Sequence, residues 1–183
     1  MSKIVEYKLF NNSWYNPGSK TKIFIWYFIN ILFFINPLNP FSSFKILLLR
    51  LFGAKIGQSV LIKPGVNIKY PWKLIIGDYT MIGERVWIDN LDFVVLGKNV
   101  CISQGAMLLT GNHNYKSKSF DLILGNIILE DGVWICAKSI VCANVICKSH
   151  SILSVNSTAT NNLEPYSIYI GTPAVKIRDR IIL

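Results

Sequence analysis

Histidine is nearly absent from this chain: His113 and His150 are the only two among 183 residues. Cysteine is sparse as well, and none of Cys101, Cys136, Cys142 and Cys147 stands in a CxxC pair. So few nitrogen and sulfur ligands at such spacing argue against a zinc site, and unpaired thiols fit a reducing, cytosolic compartment. P-loop, GxGxxG, GxSxG, HExxH and kinase signatures are all missing. Acids are also scarce, ten Asp and Glu against nineteen Lys and Arg, for a net charge of +9. Residues 1–73 hold ten of the cations and one acid, Glu6, so the excess lies in the N-terminal part. No Arg and aromatic alternation, RNP-like run or metal finger accompanies it, and nucleic acid is not an expected partner. The longest apolar run, Ile23–Ile35, is interrupted by Asn30 and stopped by Pro37 and Pro40. It falls short of the roughly twenty residues a spanning helix needs, and it lacks the small-residue cleavage site of a signal peptide.

What is present is a period of six. From Leu129 an aliphatic or small apolar residue returns at Ile135, Val141, Cys147, Leu153 and Ala159. On a helix a six-residue step turns about 120° away from the previous position, which smears the pattern around the cylinder. Six is even, so it suits a pleat of period two. Three residues after each member stand Gly132, Lys138, Asn144, His150, Asn156 and Asn162, a column rich in the types that accept left-handed backbone at a corner. Short strand, turn, short strand is the unit of hexapeptide β-helix repeats.

The period extends backwards through Ile56, Ile62 and Ile68, then Ile76, Ile82 and Ile88, then Leu96, Ile102 and Leu108. Extra residues enter after Ile68, after Ile88 and, at greatest length, after Leu108, each time at the end of a set of three. If three hexads form one triangular coil, every insertion emerges at the same corner of a prism. Five coils at about 4.8 Å each give a rod roughly 24 Å long. The longest insertion carries Thr110, Gly111, Asn112, His113, Asn114 and Tyr115, and excursions from a regular scaffold are where function commonly sits. Imidazole is the side chain suited to take a proton near neutral pH, so His113 is the candidate base. His150 falls on a corner and reads as a surface residue.

The chain thus divides into an N-terminal arm and an apolar, basic helical segment over 1–54, a repeat region over 55–164 with an excursion over 110–127, and a C-terminal cap over 165–183. Ile23–Ile35 is expected to pack as a helix on the open end of the solenoid, blocking its edge. With the basic excess around it, the same helix would rest on an anionic membrane surface. Phe41–Phe52 reads as a second helix, with Ser42 or Ser43 as N-cap.

The hexads, the loop from Thr110 to Tyr115, the run Ile128-Leu129-Glu130-Asp131-Gly132-Val133-Trp134-Ile135 and the ending Gly171-Thr172-Pro173-Ala174 resemble the hexapeptide-repeat acyltransferases. The likeness is nearest to the acetyltransferases of colanic-acid and other exopolysaccharide clusters. It implies an all-β fold, a left-handed parallel β-helix with an N-terminal helical segment and a C-terminal capping loop. It further implies a homotrimer with sites between subunits, acetyl-CoA as co-substrate, no metal, and an acceptor hydroxyl on a sugar or lipid-linked glycan. The protein would then act in the cytoplasm, peripherally on the inner face of the membrane.

On this resemblance His113 is the general base, Asn90 and, secondarily, Asp89 contact the acceptor, and Ala137, Val155, Thr160 and Arg178 contact acetyl-CoA. The family often has a Lys after the Thr; Asn161 stands there, so one phosphate contact is either missing or supplied by Lys176 or Arg180. Two other readings share the prism. A γ-class carbonic anhydrase needs three zinc-binding histidines, one more than the chain has. A non-enzymatic β-helix scaffold that binds through its flat faces is the alternative to an enzyme.

Overall fold

The structure, a computed structural model, describes residues 4–183. It is a parallel β-solenoid whose short strands stack into three faces. The first face holds Lys55–Ile56, Leu74–Ile76, Val94–Leu96, Ile127–Leu129 and Ile146–Cys147; the second begins with Leu61–Ile62 and the third with Asn67–Ile68. Hexad residues align directly above one another. Ile76 pairs with Leu96 and Leu96 with Leu129 on the first face, Ile102 with Ile135 on the second, and Leu108 with Val141 on the third. From Ile62 to Ala159 every one of these inward residues is at most 2% exposed. This column of aliphatic side chains is the core, and its burial is the main stabilising term.

The corners explain the second column of the repeat. Positive φ occurs at Ser59, Tyr79, Asn99, Gly132, His150 and Tyr166, and again at Gly65, Arg85, Gly105, Lys138 and Asn156. Each stands three residues beyond an inward one. Gly132 combines a φ of +69 with no room for a side chain, because a Cβ there would lie 2.0 Å from His150 Nδ1. His150 itself sits at its corner, half-buried and 4.8 Å from the Tyr166 ring.

Five coils were expected; the solenoid has five and a partial sixth. Leu163 bridges Cys147 in parallel, and Ser167–Gly171 continues the second face beside Ile152–Leu153. Strand Ala174–Asp179 then turns back antiparallel. The C-terminal cap is therefore a β-hairpin that closes the sheet edge, where the sequence suggested a loop; Thr172 and Pro173 serve as its turn.

At the other end, helix α1 (Lys20–Ile29) runs into a π-helical segment Asn30–Ile35, and helix α2 (Ser42–Leu51) follows. Both cover the first coil, satisfying backbone groups that have no strand above them. Trp26 Nε1 donates to Ile68 O at 2.8 Å, and the Asn30 amide spans Asn67 Oδ1 and Ile68 N. The fully buried Lys45 donates to the carbonyls of Lys63 and Ile62. Ser42 is not the expected N-cap: its hydroxyl accepts the Ile62 N–H at 2.8 Å. Among the described residues no helix is long and apolar enough to cross a membrane.

Candidate active site

All three insertions emerge at the corner between the third face and the first face of the next coil. They stack as a polar ladder. Tyr70 N donates to Asn90 Oδ1 at 2.9 Å and Asn90 Nδ2 donates to Tyr70 O at 2.6 Å. Thr110 Oγ1 donates to Asp89 O and accepts from Asp92 N, and Gly125 N donates to Thr110 O. The ladder fixes where the long excursion leaves the solenoid.

That excursion is more regular than its sequence suggests. Gly111–His113 and Leu122–Leu124 pair antiparallel, so His113 stands on a hairpin arm. Its tip is tied by Ser117 Oγ donating to Asp121 Oδ2, and hydrogen bonds from Ser119 and Ser117 hold the Asp121 carboxyl below the usual carboxylate range. His113 Nδ1 lies 2.9 Å from Phe120 O, and the two rings stack with centroids 4.3 Å apart. A carbonyl only accepts, so Nδ1 carries the proton and the neutral ring presents Nε2 as its free acceptor.

The N-terminal arm lies along this corner. Glu6 N donates to Lys118 O at 2.8 Å, and the Glu6 carboxyl pairs with Lys118 and Lys8, which hold it below the usual carboxylate range. Tyr7 meets Phe120 edge-on at 5.4 Å and Phe10 reaches to 5.8 Å from the His113 ring. Tyr15 Oη donates to Leu91 O, and burial raises its phenol above the ordinary range. Arm and corner enclose a groove of 830 Å³ into which His113, Tyr15, Tyr70, Lys20 and Lys69 project, a volume in the range of small-ligand sites. The arm residues Phe10 and Tyr15 were not legible as site residues; the one signal was aromatic clustering, Trp14-Tyr15, inside an otherwise polar stretch.

Of the expected acceptor contacts, Asp89 is half-buried with its Oδ1 2.8 Å from Lys69 Nζ. Oδ1 is itself buried and makes no aligned hydrogen bond, so the contact is an ion pair. Asn90 is different. It is fully buried and both ends of its amide are spent on Tyr70, which leaves it no group for a ligand. Asp92 accepts the N–H of Phe93 within its own turn.

The residues expected at acetyl-CoA are not gathered in one chain. Ala137 and the exposed Val155 stack at the corner between the second and third faces, joined by Asn156 N donating to Ala137 O. Thr160 lies exposed at the far edge of the third face, and Arg178 lies on the hairpin of the second. Lys176 is held by Asp179 at 2.7 Å, and Arg180 donates to Gly132 O and His150 O, so neither stands free as a substitute phosphate contact. Burial pushes the Cys147 thiol up to about 12 and Cys136 to about 11, and it raises Cys101 and Cys142 as well. No metal-ligating cluster occurs among the described residues.

No family model matches the chain. Its sequence is 32% identical over 167 residues to the Escherichia coli (strain K12) protein named as the colanic acid biosynthesis acetyltransferase WcaF, covering 91% of this chain and 92% of that one. Its fold resembles a hexapeptide-repeat acetyltransferase of Vibrio cholerae complexed with acetyl-CoA, with a TM-score of 0.73, 21% identity, and 80% and 81% of the two chains covered. A maltose O-acetyltransferase from Clostridium difficile gives a TM-score of 0.75 at 16% identity over 88% of both chains. With near-complete coverage of a relative at that identity and the same coiled architecture, the chain belongs to the hexapeptide-repeat acetyltransferases, in the branch of the colanic acid biosynthesis enzymes.

Proposed function

We propose that this acetyltransferase moves an acetyl group from acetyl-CoA to a sugar hydroxyl in the making of an exopolysaccharide, capsule or O-antigen, with His113 as general base. The observation that carries the reading is the Nδ1 to Phe120 carbonyl contact at 2.9 Å. It leaves Nε2 to accept the hydroxyl proton as oxygen attacks the thioester carbonyl, and the same carbonyl then stabilises the imidazolium. A backbone N–H would hold the tetrahedral oxyanion. As the intermediate collapses the C–S bond breaks, and the proton passes from Nε2 to the departing CoA sulfur. Asp89, which lines the adjoining groove and pairs with Lys69, is the better acceptor contact in this reading, since Asn90 is committed to the ladder.

Acetyl-CoA as donor is supported by the acetyl-CoA complex of the Vibrio cholerae relative in fold. Ala137 and Val155 would line its pantetheine, and Thr160 and Arg178 would sit near its nucleotide end. Because Ala137 and Val155 lie across a whole face from His113, a homotrimer that brings neighbouring edges together fits them best. The test is thiol release from acetyl-CoA in the presence of sugar acceptors. It should be acceptor-dependent and lost in His113→Ala; unchanged release in that variant removes the proposed base.

A second observation bears on location. Phe24, Phe28, Leu32, Leu38 and Phe41 are exposed on and after α1, and Leu38 is 85% exposed. Lys20 and Lys22 lie on the same helix. We read this platform as resting on an anionic membrane. Flotation with anionic liposomes at low salt should carry the protein upward; failure to float rejects the docking and leaves the catalytic reading intact.

A further inference from the structure

The groove beside His113 has an uneven charge. Its lining includes the cations Lys20 and Lys69 and no carboxylate, while its polar remainder is Asn12, Ser13, Tyr15 and Tyr70. Lys69 is paired with Asp89, which lines the adjoining groove. Lys73, the other nearby cation, is spent: it donates to Leu91 O and covers the Tyr15 ring. Lys20 has no ionic partner among the described residues and is exposed. It is also the first residue of α1, where the helix dipole disfavours a cation. An unpartnered cation at that position is available to a ligand of negative charge.

A second groove, of 360 Å³, shares Lys69 and Tyr70 with the first and is otherwise walled by α1 through Ile23, Trp26, Tyr27 and Ile31. Lys69 therefore sits between a compartment with the catalytic candidate and a largely apolar one, with Lys20 on the wall of the first. Resting on the reading of His113 as base, we propose that the acceptor is a glycosyl phosphate, held with its sugar beside His113 and its phosphate between Lys20 and Lys69. The N-terminal arm, through Phe10 and Tyr15, forms the wall that selects it.

Calorimetric titration of the full chain with glucose 1-phosphate and with glucose tests this without turnover. The phosphate contact does not depend on which hydroxyl is acetylated, so the hexose need not be the natural one. The phosphate ester should bind about tenfold more tightly than glucose, and Lys20→Ala and Lys69→Ala should each remove most of that difference. Lys98→Ala, a control at a distant corner, should leave it unchanged. Equal binding of the two sugars, or equal weakening by the control, overturns the proposal. A decyl glucosyl phosphate that binds more tightly than glucose 1-phosphate assigns the phosphate to a lipid-linked acceptor, and equal binding assigns it to a soluble one. Thiol release from acetyl-CoA, run alongside, reports separately on the transferase reading: loss of phosphate selectivity with His113-dependent release intact sinks only this inference.

Discussion

His113 depends on Phe120 twice, through the carbonyl that fixes its tautomer and through the ring that stacks on it. The backbone of Phe120 has φ +53, so the carbonyl is aimed by a left-handed turn. Phe120→Gly keeps that turn and deletes the stack; it should lower kcat by about tenfold while His113→Ala lowers it 10²- to 10⁴-fold, the usual range for a lost general base. Steady-state kinetics on both variants checks the ordering, and a Phe120→Gly effect as large as that of His113→Ala would mean that the ring, not the carbonyl, positions the imidazole. The thiols give a prediction of different kind. Cys147 ionises near 9.0 when unfolded but only near 12 when folded, because burial penalises the thiolate. A raised acid favours the folded state below the unfolded value, and that contribution is lost as pH climbs from about 9 toward 12. The midpoint of urea unfolding should fall more steeply above pH 9 in the wild type than in Cys147→Val, and a parallel fall in both would exclude this thiol. At this scale the sequence was partly readable. A scarce histidine on an excursion stood out, whereas the carbonyl of Phe120 and the arm residue Phe10 reach His113 through folding alone.

The elements differ in how they announce themselves. Strands of the solenoid were legible because one period of six sets both inward burial and corner backbone, and a slip of one residue would turn every inward side chain outward. Gly132 shows how tight that register is. Gly132→Ala would drive a Cβ into the His150 ring at a left-handed position, and should cost about 2 kcal/mol or more; chemical denaturation measures it, and a cost below 0.5 kcal/mol would show that the His150 ring moves freely aside. The end caps were less legible, since what they satisfy is distant in sequence. Nothing around Lys45 in the apolar run of α2 signals that its ammonium reaches the carbonyls of Ile62 and Lys63. Lys45→Met keeps the buried stem and deletes the donor, so the loss should be about 1–3 kcal/mol, concentrated in the helical cap. Hydrogen exchange should speed at α2 and the first coil and stay unchanged at the fourth; uniform acceleration would mean that the cap and solenoid unfold as one unit.

A triangular solenoid keeps its edges apart, and that separation bears directly on how the site is completed. His113 rises from the corner where the third face meets the first, while Ala137 and Val155 occupy the corner where the second meets the third. One chain cannot fold the two edges together, because the stacked strands between them form a continuous sheet. Large apolar residues project outward from these faces, with Met81 48%, Trp134 41% and Trp87 39% exposed, which favours lateral assembly. In a three-fold assembly each site would take its base from one subunit and its acetyl-CoA wall from the next. Two inactive variants then rescue each other. His113→Ala lacks the base, and Ala137→Trp fills the wall, so each alone should be inactive. Co-expressed at equal levels and mixed at random, they would leave one intact site in every mixed trimer, about a quarter of wild-type activity overall. Sites built within single chains would give no recovery at all.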